Sequence, residues 1–128
     1  MIKENKIILA ILIMATSLFA SNGKEIFDKN CISCHIMKMG WQVTPKEKMN
    51  MNGPTAFGIT KHVKDVFSNE KQFVEFVTEY ITRPVRIKAR CKDNVISKFG
   101  IMPAVSKEMS QADKKSVSSW MFNNIGVK

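Results

Sequence analysis

Cys31, Cys34 and His35 stand together in the stretch CISCHIMKMGW, residues 31 to 41. Two thiols set two residues apart, with an imidazole directly after, can do three kinds of chemistry. They can form a redox dithiol, supply part of a zinc site, or hold a haem covalently with the histidine under its iron. A thioredoxin-like dithiol wants a strand before the motif and a βαβ layout around it, and no strand pattern precedes Cys31. Zinc wants four ligands, and the spare donors His62 and Cys91 sit in no paired motif. The haem reading explains the spacing. Both thiols lie on one side of a short helical turn, so both reach the same edge of a porphyrin and add across its vinyl groups. The adjacent histidine then falls under the metal.

Three segments carry the helical period that could position these groups. GKEIFDKNCISCH, residues 23 to 35, puts Ile26, Phe27, Cys31 and Cys34 broadly on one face. In NEKQFVEFVTEYITRP, Phe73, Phe76, Val77, Tyr80 and Ile81 follow the spacing of an amphipathic helix, with Asn69 as cap and Pro84 as stop. In SQADKKSVSSWMFNNIG, Ser110 and Asp113 have capping spacing, Val117, Trp120 and Met121 form the apolar stripe, and Gly126 closes the helix. Residues 36–60 and 95–109 are rich in Gly, Pro and Met and are expected to be irregular. No strand of useful length, repeat or low-complexity tract is present. The expectation is an all-α domain whose long loops have a task, such as wrapping a large flat cofactor.

The chain of 128 residues allows one domain. Lys3 and Lys6 precede an apolar run from Ile7 to Ala20, the layout of a signal peptide and too short to span a bilayer. Residues 1–20 are therefore read as a signal peptide cut after Ala20, and residues 21–128 as the domain. The expected location is the periplasm. Taking Lys3, Lys6 and Glu4 from the formal +9 leaves +8 on the domain. Such a balance steers a protein toward acidic partners. No nucleic-acid motif accompanies the charge, so nucleic acid is not the expected partner. If Cys31 and Cys34 share one task, Cys91 is left over. It is expected to be a buried unpaired thiol, with an intermolecular disulfide or a redox-sensing thiol near the haem as the alternatives. Were it exposed, Arg90 and Lys92 beside it would lower its pKa.

The order of these parts resembles the small monohaem class I cytochromes c over nearly all of residues 21–128. GKEIFDKNCISCH is similar to the family's first helix leading into its haem anchor. GPTAFG, residues 53 to 58, resembles the Gly-Pro turn beside the proximal histidine. FGIMPA, residues 99 to 104, resembles the loop that delivers a methionine to iron, and VSSWMFNN resembles the closing helix. The resemblance implies a class I cytochrome c fold, with three to five helices and loops around one covalent haem. It implies haem c bound through Cys31 and Cys34, iron held between His35 and Met102, and the Pro54 carbonyl bonded to the other imidazole nitrogen of His35. Met102 stands out among nine methionines because Pro103 follows it in a loop before the last helix. Met37, Met39, Met49, Met51 and His62 are its weaker rivals. Gly23, Phe27 and Trp120 resemble the crossing of first and last helices. Phe57, Phe76, Tyr80 and Phe99 are candidate pocket walls. The segment TRPVRIKARCKDN resembles an inserted loop, and a guanidinium from Arg83, Arg86 or Arg90 suits a haem propionate.

The implied function is single-electron transfer. Two filled axial positions leave no room for a substrate, so no enzyme activity is expected. Partners would be redox proteins with acidic docking surfaces, met by Lys29, Lys38, Lys98 and Lys107. The domain would be monomeric, and soluble or peripheral to the membrane. A haem sensor or a small peroxidase is the rival and needs a displaceable distal ligand. A fixed subunit of a respiratory enzyme is compatible with the main reading.

Overall fold

A computed structural model describes residues 22–126. The expected signal segment, residues 1–20, and its cleavage point lie outside the described residues. Six α-helices and two short 3-10 turns form, and no strand occurs among the described residues. The all-α expectation holds, with one helix more than the upper bound of five.

Helix α1, Gly23–Asn30, starts where the Asn22 side chain accepts from the Lys24 amide at 3.0 Å. It is shorter than the segment 23–35 expected from its pattern. Past Asn30 the chain tightens into turns, in which the amides of Cys34 and His35 both donate to the Cys31 carbonyl. Helix α4, Glu70–Thr82, starts at the Asn69 cap and ends just before Pro84. Helix α6, Gln111–Asn124, starts with a reciprocal Ser110–Asp113 capping box. Gly126 follows it at φ 61°, a left-handed conformation that glycine adopts without a Cβ clash.

These three helices form the frame. Helix α6 lies against both α1 and α4. Phe27, Phe73, Val117 and Ile125 are essentially removed from solvent along these contacts. Each such side chain contributes roughly 1.5–3 kcal/mol of burial. Where α1 meets α6, a Cβ on Gly23 would fall 2.4 Å from Trp120 Cβ and 2.5 Å from the Ser116 carbonyl oxygen. Only glycine permits that approach. The rings of Phe27 and Trp120 then meet at 5.4 Å. Because α6 is flanked on more than one side, it also buries polar groups. Lys114 reaches Thr82 Oγ1 at 2.9 Å, and Ser118 Oγ donates to the Lys114 carbonyl at 2.6 Å.

The stretches expected to be irregular contain three further helices. Helix α2, Pro45–Asn50, has a Thr44–Glu47 capping box and proline in its first turn. Helix α3, Ala56–Val66, starts where Thr55 Oγ1 accepts from the Gly58 amide at 3.1 Å. Helix α5, Asp93–Phe99, has no side-chain cap and ends at Gly100 with φ 73°. The inserted segment between α4 and α5 is a loop with one 3-10 turn, Arg86–Lys88.

Candidate cofactor cleft

Between the frame and helices α3 and α5 lies a cleft of about 360 Å³. Its lining is mostly apolar. Cys31, Cys34 and His35 form one wall, just beyond the end of α1. Helix α4 supplies Phe76, Val77, Tyr80 and Ile81. Helix α5 and the loop after it supply a further wall that includes Phe99 and Met102.

His35 is oriented by its surroundings. Its Nδ1 lies 2.8 Å from the Pro54 carbonyl oxygen. A carbonyl only accepts, so Nδ1 carries the proton and Nε2 keeps its lone pair. Burial pushes the imidazole pKa down, and the Pro54 bond offsets this in part. The ring is thus held neutral, the form that binds a metal. Gly53 makes room for it, since a Cβ there would come 3.0 Å from His35 Cε1. The Ala56 amide donates to the Ile36 carbonyl at 2.9 Å and ties this corner to the start of α3.

Cys31 and Cys34 are free thiols. Burial, and the neighbouring Cys34, push Cys31 up to about 11. A thioredoxin-like dithiol needs the opposite shift. A zinc site fares no better, because no three His, Cys, Asp or Glu side chains come together for a metal among the described residues. Two unpaired thiols beside a neutral histidine, at the edge of a large apolar cleft, fit a flat ring bonded through both sulfurs.

Met102 lines the cleft from the loop between α5 and α6. That loop is pinned where the Val105 amide donates to the Ile81 carbonyl at 3.0 Å. The rival methionines fall elsewhere. Met39 and Met49 are exposed, Met37 rests on the core, and Met51 is not on the cleft. Met121 touches the cleft but is buried in α6. His62, on α3, does reach the cleft.

Other expectations are divided. Phe76, Tyr80 and Phe99 line the cleft, whereas Phe57 does not and packs with the core near Gly126. Of the three arginines, Arg90 alone lines the cleft. Its guanidinium stands 5.9 Å from the Phe67 ring centroid and 5.8 Å from that of Phe76. Arg86 pairs with Asp93 at 2.6 Å, and Arg83 faces a shallow groove between α4 and α6. Cys91 also lines the cleft. It is half-buried, and burial raises its pKa despite the flanking Arg90 and Lys92.

An all-helical frame with a C-x-x-C-H turn after the first described helix, a proline carbonyl on that histidine and a methionine-bearing loop before the last described helix defines a c-type cytochrome. The chain belongs to the family described as cytochrome c oxidase, cbb3-type, subunit III, whose pattern matches residues 19–121. It is also 31% identical over 110 residues to a protein of Aquifex aeolicus (strain VF5) described as an uncharacterized protein, an overlap covering 80% of this chain and 72% of the other. No solved structure matches. Members of this family are haem-binding electron carriers, with haem c attached covalently and iron at its centre.

Proposed function

We propose that the chain carries single electrons in the periplasm through one haem c, bonded to Cys31 and Cys34 and ligated by His35 and Met102. The observation that carries this reading is the pairing of His35 and Met102 on walls of one cleft, with His35 Nδ1 already committed to Pro54. When bound, the haem supplies a one-electron couple at its iron, and thioether ligation favours the ferrous side. The chain's own residues supply the rest. Pro54 and Gly53 hold the His35 ring with Nε2 free. Phe76, Tyr80 and Phe99 keep water from the cleft. Arg90, reaching the cleft over two rings, is placed to meet a propionate. Such contacts hold the site in one geometry through both oxidation states, so little rearranges when an electron moves.

The family description favours a second form of the same reading, in which the chain is a fixed electron-carrying subunit of an oxidase. A haem sensor or small peroxidase draws on one observation, the presence of His62 on the cleft.

The test is the visible spectrum of the holoprotein, oxidised, then reduced, then with carbon monoxide. The expected result is a low-spin spectrum with a methionine–iron band and no response to carbon monoxide. Met102→Ala should abolish that band and admit carbon monoxide. A band that survives in Met102→Ala would remove Met102 from the site, and a wild type that binds carbon monoxide would favour the sensor or peroxidase. The mass of the exported protein checks cleavage after Ala20 and the addition of one haem.

A further inference from the structure

Directly after His35 the chain builds a small lobe that takes no part in the cleft. Trp41 leaves 84% of its surface in solvent and Met49 82%, with Met39 at 38%. Three of the six large apolar side chains exposed among the described residues thus fall within residues 39–49. Scattered exposed apolar residues are ordinary, but a local concentration marks a contact surface.

The lobe is braced. Glu47 accepts from the Thr44 amide at 2.9 Å and from Lys38 Nζ at 2.5 Å. Gln42 accepts from the Met39 amide at 2.9 Å, and Val43 is buried beneath. Trp41 therefore projects from a turn whose conformation is already set. A partner that took it up would pay little ordering entropy. Tryptophan and methionine are enriched at such surfaces, and tryptophan is the most frequent anchor.

The charges around it select the partner. Lys46 and Lys48 are exposed and form no ion pair among the described residues, whereas Glu47 is occupied within the lobe. A second copy of this chain would bring the same positive charge against itself. A lipid surface would need a broader apolar face than three side chains and the six-residue α2 provide. The lobe also stays close to the site. Trp41 lies six positions after His35, a reach of roughly 20 Å at most.

We propose that the lobe carrying Trp41 and Met49 is the docking surface for a redox protein with an apolar pocket rimmed by acidic side chains. This rests on the electron-carrier reading above. It places the docking contact at Trp41 and Met49 of the lobe after the anchor, and not at Lys29, Lys98 and Lys107.

The experiment follows oxidation of the reduced holoprotein by membranes of the organism that makes the chain, with ferricyanide as a partner that needs no docking surface. Trp41→Ser should slow oxidation by the membranes about 30-fold, the size of an interface hot spot, and leave the ferricyanide rate and the spectrum unchanged. Lys46→Glu with Lys48→Glu should slow it at low salt and lose that effect at high salt. Equal membrane rates for wild type and Trp41→Ser overturn the docking proposal alone. A wild type that ferricyanide oxidises but the membranes do not overturns the carrier reading and the proposal with it. Wild type that sediments with phosphatidylglycerol vesicles, when Trp41→Ser does not, assigns the lobe to lipid instead. A wild-type dimer that Trp41→Ser dissociates assigns it to a second copy.

Discussion

Gly53 lies against the His35 imidazole so closely that a Cβ there would come 3.0 Å from Cε1 and 3.2 Å from Nδ1. The ring could then stay only by turning away from the Pro54 carbonyl. Gly53→Ala should keep the helical frame, which is built elsewhere, and weaken the histidine as a ligand. Loss of an orienting partner costs about 10–100-fold in metal affinity. Protons compete for the same nitrogen, so acid titration of the low-spin spectrum should show its midpoint raised by about 1–2 pH units. Pro54→Ala retains the carbonyl and should move the midpoint far less. An unmoved midpoint in Gly53→Ala would mean the imidazole does not depend on this contact.

Thr60 is 1% exposed, and its hydroxyl has no hydrogen-bond partner among the described residues. An orphaned buried hydroxyl costs about 1–3 kcal/mol, and valine has nearly the same shape. Thr60→Val should therefore stabilise the protein by about 1 kcal/mol in urea unfolding, against the usual direction of core substitutions. A loss of stability would reveal a partner for the hydroxyl.

Glu47 holds its carboxyl at about 2, first through the Lys38 hydrogen bond and then through the Thr44 amide. Its folded value lies below the ordinary 4.5, so the bracing it contributes is complete above that value. It is lost as pH falls toward 2. Carboxylate NMR titration of Glu47 should find the lowered midpoint. Glu47→Gln should flatten the dependence of stability on pH in this window and leave it unchanged at neutral pH in slope. An ordinary titration near 4.5 would show that the Lys38 contact does not persist in solution.

The frame was legible because its signals are local and repeated. Phe73 and Val77 declared one face of α4, and Asn69 and Ser110 marked helix starts, whereas the crossing of Gly23 with Trp120, which the chain does make, was read only through the family resemblance. Helix α2 was missed although Thr44, Pro45 and Glu47 spell out its start, since six residues hold too little apolar period to register. Helix α5 is also short and lacks a side-chain cap. Its Val95, Ile96 and Phe99 line the cleft, so its support comes from a wall remote in sequence. The same distance hid Cys91. Arg90 and Lys92 would lower its pKa only if the thiol were exposed; it is half-buried in the cleft, and burial raises the pKa. The positions of His35, Cys31 and Cys34 were readable because one turn of chain carries all three. Placing Met102 required the family resemblance, since eight other methionines compete on sequence alone.

The contact between Gly23 and Trp120 joins the first described helix to the last. No shorter piece of the chain can make it, and the loop it closes spans nearly the whole domain. Contacts of such separation form late, because the entropy of closing the loop precedes any gain from the contact. Until α6 docks, Phe27 lacks the Trp120 ring that meets it at 5.4 Å, and the turn bearing Cys31 and Cys34 is not yet held by this crossing. On the carrier reading proposed above, chain order sets the sequence of events: Cys31 and Cys34, the residues that would take the haem, emerge before the helix that closes over α1.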